Sequence, residues 1–324
     1  VNVYVVGAGA VGTYLGEALR AAGSTVTYAP RRLEDVVPVS ADLALVTVKS
    51  YDTVSAIKTL SAALDGSPET TILTPQNGVG NEELLAAAFG ADRIVAGALT
   101  VPVERGPAGA GVAANRGGLA LAPLGSTSHN WLVAAFEQAK IHIKVCADYR
   151  ALKWSKLALN IVANASCAIL DVLPERLLRF DHLFSLEMRA IREAQAVMEA
   201  LGLSAVDLPS YPVRAMHVVA RLPLPISRLV LARRIAGARG QKQPSLLLDL
   251  RSGGGRTEVG FLSGAVASAG RASGTPTPVN AVYARLVEDI SQFPQLWAKY
   301  RERPLALVAE VQAEERRSAA LATV

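Results

Sequence analysis

Cysteine is nearly missing from this chain. Cys146 and Cys167 are the only two in 324 residues, and neither belongs to a C-x-x-C pair, which argues against a disulfide framework and against a thiolate metal site. They read as buried, reduced thiols. Histidine is scarce as well, and His129, His142, His182 and His217 show no ligand spacing, so no metal is expected. Aromatic residues make up 5% of the chain, and none interleave with a basic block; nucleic acid is not an expected partner. The net charge of +5 suits instead an anionic small molecule, such as a phosphorylated cofactor or a carboxylate. No apolar run is long enough to cross a bilayer. The first residues read as a strand rather than as a charged segment with a hydrophobic signal core, so the expectation is a soluble, cytoplasmic protein with no membrane partner.

What is present is ordinary globular material. At 51% hydrophobic and 19% charged residues, the chain has enough apolar mass for two domains with cores of their own. A valine-rich run over residues 1–6 ends at Gly7-Ala8-Gly9-Ala10-Val11-Gly12, and helix formers follow to Gly23. This is a strand, a glycine turn and a helix. The first glycine permits the tight turn, the second lets backbone amides approach a pyrophosphate, and the third allows close packing of helix on strand. A second strand, Thr25 to Tyr28, ends at Ala29-Pro30-Arg31-Arg32, where NAD-preferring sites usually carry an acidic residue. Arginine there favours a 2′-phosphate and hence NADP(H), with Arg31 the candidate contact.

Further strands are expected at Ala41 to Val48, Thr70 to Leu73, Ile94 to Thr100, Leu119 to Ala122 and Ile141 to Val145, with a glycine-rich loop or hairpin between Gly106 and Gly118. Ligands of open α/β sheets gather at the carboxyl ends of strands, which singles out Lys49 and Asn77. Lys49 reads equally well as an ordinary strand-end lysine. After residue 147 the texture turns helical, giving an expected Rossmann-type dinucleotide-binding domain over 1–147 and a mostly α-helical domain over 148–324. Helical patterns run over Tyr149 to Leu170, Leu183 to Leu201, Pro212 to Arg221, Leu246 to Leu250, Val259 to Ala269 and Val279 to Ser291, and a surface helix follows Pro304. Proline and glycine at Pro223, Pro225, Gly237, Gly240 and Gly253 to Gly255 mark loops that separate these helices. The apolar faces of the long helices leave a homodimer open, since such faces are buried within one subunit just as readily.

The most informative stretch is Trp154-Ser155-Lys156-Leu157-Ala158-Leu159-Asn160-Ile161-Val162-Ala163-Asn164. Four-residue spacing puts Lys156, Asn160 and Asn164 on one face of an otherwise apolar helix. Polar groups in such a setting need hydrogen-bonding partners, and a substrate is one candidate; an exposed stripe is the other. Ser245 after Pro244, and Glu258 in Arg256-Thr257-Glu258, are polar groups at helix starts for which a capping role is an adequate local explanation.

Together, Gly7-Ala8-Gly9-Ala10-Val11-Gly12, Val48-Lys49-Ser50-Tyr51, Gln76-Asn77-Gly78-Val79-Gly80, the lysine–asparagine helix, and Ser245 with Arg256-Thr257-Glu258 resemble the ketopantoate reductase (2-dehydropantoate 2-reductase) family. The resemblance covers roughly residues 1 to 290. It implies an NADPH-binding Rossmann domain followed by a helical domain, with the substrate between them, and reduction of ketopantoate to pantoate on the route to pantothenate and coenzyme A. By the same resemblance Lys156 is the general acid and Glu258 orients the substrate and the lysine. Asn160, Asn164 and Ser245 contact substrate polar groups, and Lys49 and Asn77 line the nicotinamide and substrate side.

Departures from the family pattern are local. The link from Arg31 to Ala41 is short where the family inserts a longer excursion, which puts the cofactor's adenosine end in question. An asparagine common three positions before the serine is Lys242, and another falls near Pro174. These changes leave open another 2-oxo or 3-oxo acid as substrate, and loss of turnover would leave a non-catalytic NADP-binding sensor.

Overall fold

Val3 and Val5 project from one side of the first strand, Tyr4 and Val6 from the other, and all four are buried, as a strand covered on both faces requires. The computed structural model describes residues 1–106, 109–112, 116–127, 129–239 and 243–322. Its strands are β1 (Asn2–Val6), β2 (Thr25–Tyr28), β3 (Leu43–Val46), β4 (Thr71–Thr74), β5 (Ile94–Leu99), β6 (Val103–Gly106), β7 (Gly109–Val112), β8 (Leu119–Pro123) and β9 (Ile143–Val145). The helices are α1 (Ala10–Ala21), α2 (Thr53–Ala63), α3 (Asn81–Phe89), α4 (Asn130–Gln138), α5 (Tyr149–Ile161), α6 (Ala165–Leu170) and α7 (Pro174–Leu177), then α8 (Asp181–Ala200), α9 (Val213–Arg221), α10 (Leu224–Arg239), α11 (Ser245–Ser252), α12 (Ser263–Ser273), α13 (Pro278–Gln292) and α14 (Pro304–Ala322). Among the described residues, no helix is long and apolar enough to cross a membrane.

One sheet runs β2-β1-β3-β4-β5-β8-β9, parallel through β5, with β8 antiparallel to β5 and β9 parallel to β8. Alternate side chains feed two cores. On one side Val3, Leu43, Leu73 and Val95 meet Leu15 and Leu19 of α1 and Phe136 of α4. On the other Tyr4, Ala44, Ile72 and Ile94 meet Leu60 of α2 and Leu85 of α3. The hairpin β6–β7 pairs Val103 with Val112 and packs on α1. Between β2 and β3 there is one 3-10 turn, Leu33–Asp35, and no crossover helix, and the edge strand β2 has alternately exposed residues. β2 is therefore the edge of the sheet on this side.

The fold is the expected one, a Rossmann-type α/β half followed by a mostly helical half. The chain divides into two compact units, Val1–Lys156 with Val206–Pro212, and Leu157–Ala205 with Val213–Val324. The returning segment is tied to the first unit by Val206 N–H donating to Ser155 Oγ at 2.9 Å and by Thr100 Oγ donating to the Pro209 carbonyl at 2.9 Å. In the second unit α8 buries Leu183, Leu186, Ala190, Ile191, Ala194 and Val197 along one stripe, the spacing an amphipathic helix needs.

Three expectations are corrected. The helix expected over Tyr149 to Leu170 is two helices: α5 ends at Ile161, Ala163 has φ of 48°, and α6 starts at Ala165. Glu187 of α8 causes the break, accepting the Ala163 N–H at 2.5 Å in place of a helical carbonyl. The chain breaks at Leu222-Pro223 as expected and Gly240 lies outside the described residues, but Pro225 and Gly237 fall within the helix α10 rather than in loops. Pro225 falls in its first turn, where the missing N–H has no helical acceptor anyway, and one internal glycine costs only about 1 kcal/mol. Finally, the helix expected from Val259 is a 3-10 turn, Val259–Phe261, followed after Leu262 by α12.

Candidate active site

The turn after β1 is shaped by its neighbours. Gly7 has φ of 112°, and a Cβ there would lie 2.6 Å from Val48 N; one at Gly12 would lie 2.0 Å from the Gly7 carbonyl oxygen. Thr47, at the end of β3, donates from Oγ1 to that carbonyl at 2.6 Å. Gly9 differs, since a Cβ there would meet nothing within 4 Å. It is the N-cap of α1 and no side chain caps that helix, so the first N–H groups of α1, with Ala8 and Gly9 exposed beside them and Ala10 and Val11 half-buried, face open space. This cradle fits a pyrophosphate. Arg31 and Arg32 lie just beyond β2, both exposed; Arg32 is 3.7 Å from Glu34, whereas Arg31 makes no ion pair among the described residues.

Because β1, β3 and β4 are adjacent, the loops after them lie side by side at the carboxyl edge of the sheet. Lys49 and Asn77 both sit there, half-buried. A connected set of buried polar groups joins their loops. Ser50 Oγ donates to the Asn77 carbonyl at 2.7 Å and Asn81 Nδ2 donates to the same carbonyl at 3.1 Å. Gln76 Nε2 donates to the Val48 carbonyl at 3.0 Å and to Thr53 Oγ1 at 2.9 Å, while Thr53 Oγ1 donates to Asn81 Oδ1 at 2.8 Å. A fully connected network of this kind fixes a unique backbone path. Beneath it Lys153 of α5 lies 2.8 Å from the Glu82 carboxylate, both side chains almost completely buried. Burial pushes the Glu82 carboxyl up, and the neighbouring Lys153 ammonium opposes that shift.

Lys156 follows on α5, half-buried, and Asn160 lies four residues on, on the same helical face. Asn164 leaves that face. As the N-cap of α6 it donates from Nδ2 to the Asn160 carbonyl at 3.0 Å and to Ser245 Oγ at 3.3 Å, and its Oδ1 accepts the Leu246 N–H at 3.1 Å. Both amide protons of Asn164 are therefore engaged, and the residue holds Ser245 at the start of α11. Glu258 precedes the 3-10 turn, is 4% exposed, and makes no side-chain capping bond. The capping explanation for this carboxylate does not hold. Pro174 opens α7 and is buried; Lys242 lies outside the described residues.

The structure thus gathers the glycine loop, Lys49, Asn77 and Lys156 in the first unit, and Asn160, Asn164, Ser245 and Glu258 in the second. Sequence reasoning missed Thr47, Gln76 and the Lys153–Glu82 pair. A signal for the last existed: Lys153 stands three residues before Lys156 in the same apolar helix, and a buried lysine requires a counter-charge. Among the described residues no group of histidine, cysteine and acidic side chains is arranged to hold a metal ion, and both cysteines are buried and outside any disulfide.

Comparison with known proteins adds an independent line. Two family models match the chain, "Ketopantoate reductase PanE/ApbA" over residues 28–125 and "Ketopantoate reductase PanE/ApbA C terminal" over residues 148–291. The 2-dehydropantoate 2-reductase of Halobacterium salinarum is 32% identical over 250 residues, covering 76% of this chain and 75% of that protein. That of Archaeoglobus fulgidus is 26% identical over 314 residues, covering 89% and 97%. Among solved structures, a PanE/ApbA family ketopantoate reductase from Ralstonia eutropha JMP134 superposes with a TM-score of 0.72 at 28% identity, covering 90% of this chain and all of that one.

Proposed function

The chain belongs to the ketopantoate reductase family, and from that premise we propose that this oxidoreductase uses NADPH to reduce 2-dehydropantoate to pantoate, a step of pantothenate and coenzyme A biosynthesis, with Lys156 as the general acid. The observation that carries the reading is the placement of Lys156 on α5, one turn after a lysine that is bonded into the strand-end network of Gln76 and Asn77. Bound NADPH supplies the hydride.

The residues do the rest. Negative charge develops on the substrate carbonyl oxygen, and the Lys156 ammonium both stabilises it and delivers the proton. Asn160, Ser245 and Lys49 bind the carboxylate and hydroxyl of the acid. Glu258, a buried carboxylate with no capping duty, orients the substrate and the lysine. Asn164 acts through Ser245. The α1 N-terminus and the glycine loop hold the pyrophosphate, Asn77 borders the nicotinamide, and the exposed Arg31 meets the 2′-phosphate.

Oxidation of NADPH and NADH with ketopantoate and a panel of other 2-oxo and 3-oxo acids, followed by nicotinamide absorbance, tests this reading. Turnover with NADPH and ketopantoate is expected. Lys156→Ala should lower kcat by about 10²- to 10⁴-fold and leave the Kd for NADPH within about twofold. Turnover only with another acid would move the substrate within the family. A wild-type protein that binds NADPH and reduces none of them would be a sensor, and a Lys156→Ala enzyme as fast as wild type would remove the assigned acid.

A further inference from the structure

Helix α5 carries a second ammonium that the proposed chemistry does not use. Lys153 is 2% exposed. Its Nζ donates to the Gln76 carbonyl at 2.5 Å and to the Gly97 carbonyl at 3.3 Å, and lies 2.8 Å from Glu82 Oε1. Two backbone carbonyls accept from this ammonium and the Glu82 carboxylate faces it as counter-charge, so with the side chain buried it is committed to these groups rather than to a substrate. Within the first unit it joins the first half of α5 to the loop after β4, the middle of β5 and the first turn of α3.

Packing alone does not account for the charges. An apolar pair of similar volume often replaces a buried ion pair without loss of stability, and leucine or methionine would fill this space. What an apolar pair cannot do is bind two backbone carbonyls. One of these, on Gln76, immediately precedes Asn77, whose own carbonyl is held by Ser50 and Asn81; the Gln76 side chain reaches across to Val48, next to Lys49. Lys156 stands one turn beyond Lys153, about 60° around the helix axis.

We propose that the Lys153–Glu82 pair is a positioning device: it clamps α5 to the strand-end loops, and so sets Lys156 in register with Asn77 and Lys49. The proposal rests on the reductase reading for its catalytic consequence, though not for the clamp itself. Glu82 supplies the counter-charge that Lys153 faces, and Lys153 fixes the Gln76–Asn77 backbone through the Gln76 carbonyl.

The double variant Lys153→Met/Glu82→Leu removes both charges and fills the space. It should fold with a Tm close to wild type, while kcat falls about 100-fold, the cost of displacing a reacting group by about 1 Å, and the Kd for NADPH stays within about twofold. Hydrogen exchange of the amides of residues 77–80 should speed up by about tenfold as the loop is released. Recovery of Tm and kcat together would overturn the proposal, because the pair would then be mere packing. Unchanged exchange at 77–80 would overturn it whatever the turnover. Glu82→Gln, which keeps the volume and an acceptor, should show both changes at reduced size, and serves if the double variant fails to fold. A wild-type protein that reduces no 2-oxo acid would defeat the reductase reading, while the exchange measurement would still decide the clamp.

Discussion

The two units bury carboxylates in opposite ways. Glu82 in the first faces an ammonium, Lys153, which also donates to one loop carbonyl, on Gln76, and one strand carbonyl, on Gly97 of β5. Glu193 in the second faces neutral donors: it accepts the Val279 N–H at 2.9 Å, the Asn280 N–H at 2.9 Å and Asn280 Nδ2 at 2.8 Å. Those amides belong to the first turn of α13, whose N-cap Thr277 supplies no side-chain cap, so Glu193 of α8 caps α13 from outside. Burial pushes both carboxyls up; the Lys153 charge opposes it at Glu82 and the Asn280 and Val279 amides oppose it at Glu193. The difference teaches where each unit has a structural need. A helical unit has helix ends to satisfy, and neutral amides suffice. A sheet edge that must hold several loops in one arrangement needs a donor with three protons on a long stem.

Removing the carboxylates separates the two designs. Glu82→Ala leaves an ammonium buried without its counter-charge and should cost about 3–5 kcal/mol in urea unfolding. Glu193→Ala leaves buried neutral donors and should cost about 2–3 kcal/mol. The reverse order would mean that helix capping, not the ion pair, is the more demanding burial. Glu187→Ala, smaller again at about 2 kcal/mol, loses the Ala163 N–H and the Tyr283 hydroxyl, which donates to Glu187 at 2.9 Å. It should also raise KM for the acid several-fold, as the α5–α6 break that aims Asn164 at Ser245 relaxes. An unmoved KM would show that Ser245 holds its place without that break.

Which of these features the sequence discloses depends on how far the cause lies along the chain. The glycine turn was legible, because glycines spaced between a strand and a helix form a local pattern, even though part of what crowds Gly7 and Gly12 belongs to Thr47 and Val48 at the neighbouring strand end. The change of texture after residue 147 was legible for the same reason, since periodicity is a local property. The break after Ile161 was not, for its cause is Glu187, 24 residues beyond Ala163, and neither glycine nor proline marks the site. Asn164 was misplaced on the Lys156 face as a direct consequence. Glu82 reads in sequence as a first-turn acid that suits the α3 macrodipole, and only the approach of α5 reveals its partner. Lys156, Asn160, Ser245 and Glu258 stand out through resemblance more than through physics, for a lone Glu258 at a helix start is equally a cap until its side chain is seen not to cap.

The smallest of these effects extends the comparison to a carboxylate near the surface. Glu310 of α14 accepts from Lys299 Nζ, Arg285 of α13 and the Tyr300 hydroxyl, each at 2.8 Å, and its side chain is 21% exposed. The Lys299 hydrogen bond, aided by Arg285 and Tyr300 against the cost of burial, holds its carboxyl down to about 2. A carboxyl whose folded value lies below its unfolded one near 4.5 binds protons more readily once unfolded. Its contribution is therefore complete above about pH 4.5 and disappears as the pH falls toward 2. Screening at this partly exposed position limits the contribution to about 1 kcal/mol. Glu310→Gln should accordingly unfold about 1 kcal/mol sooner than wild type at pH 7, and the two proteins should converge as acid is added. A gap that persists at pH 2 would mean that Glu310 acts through packing rather than charge. The contrast with Glu82 would then be one of burial alone.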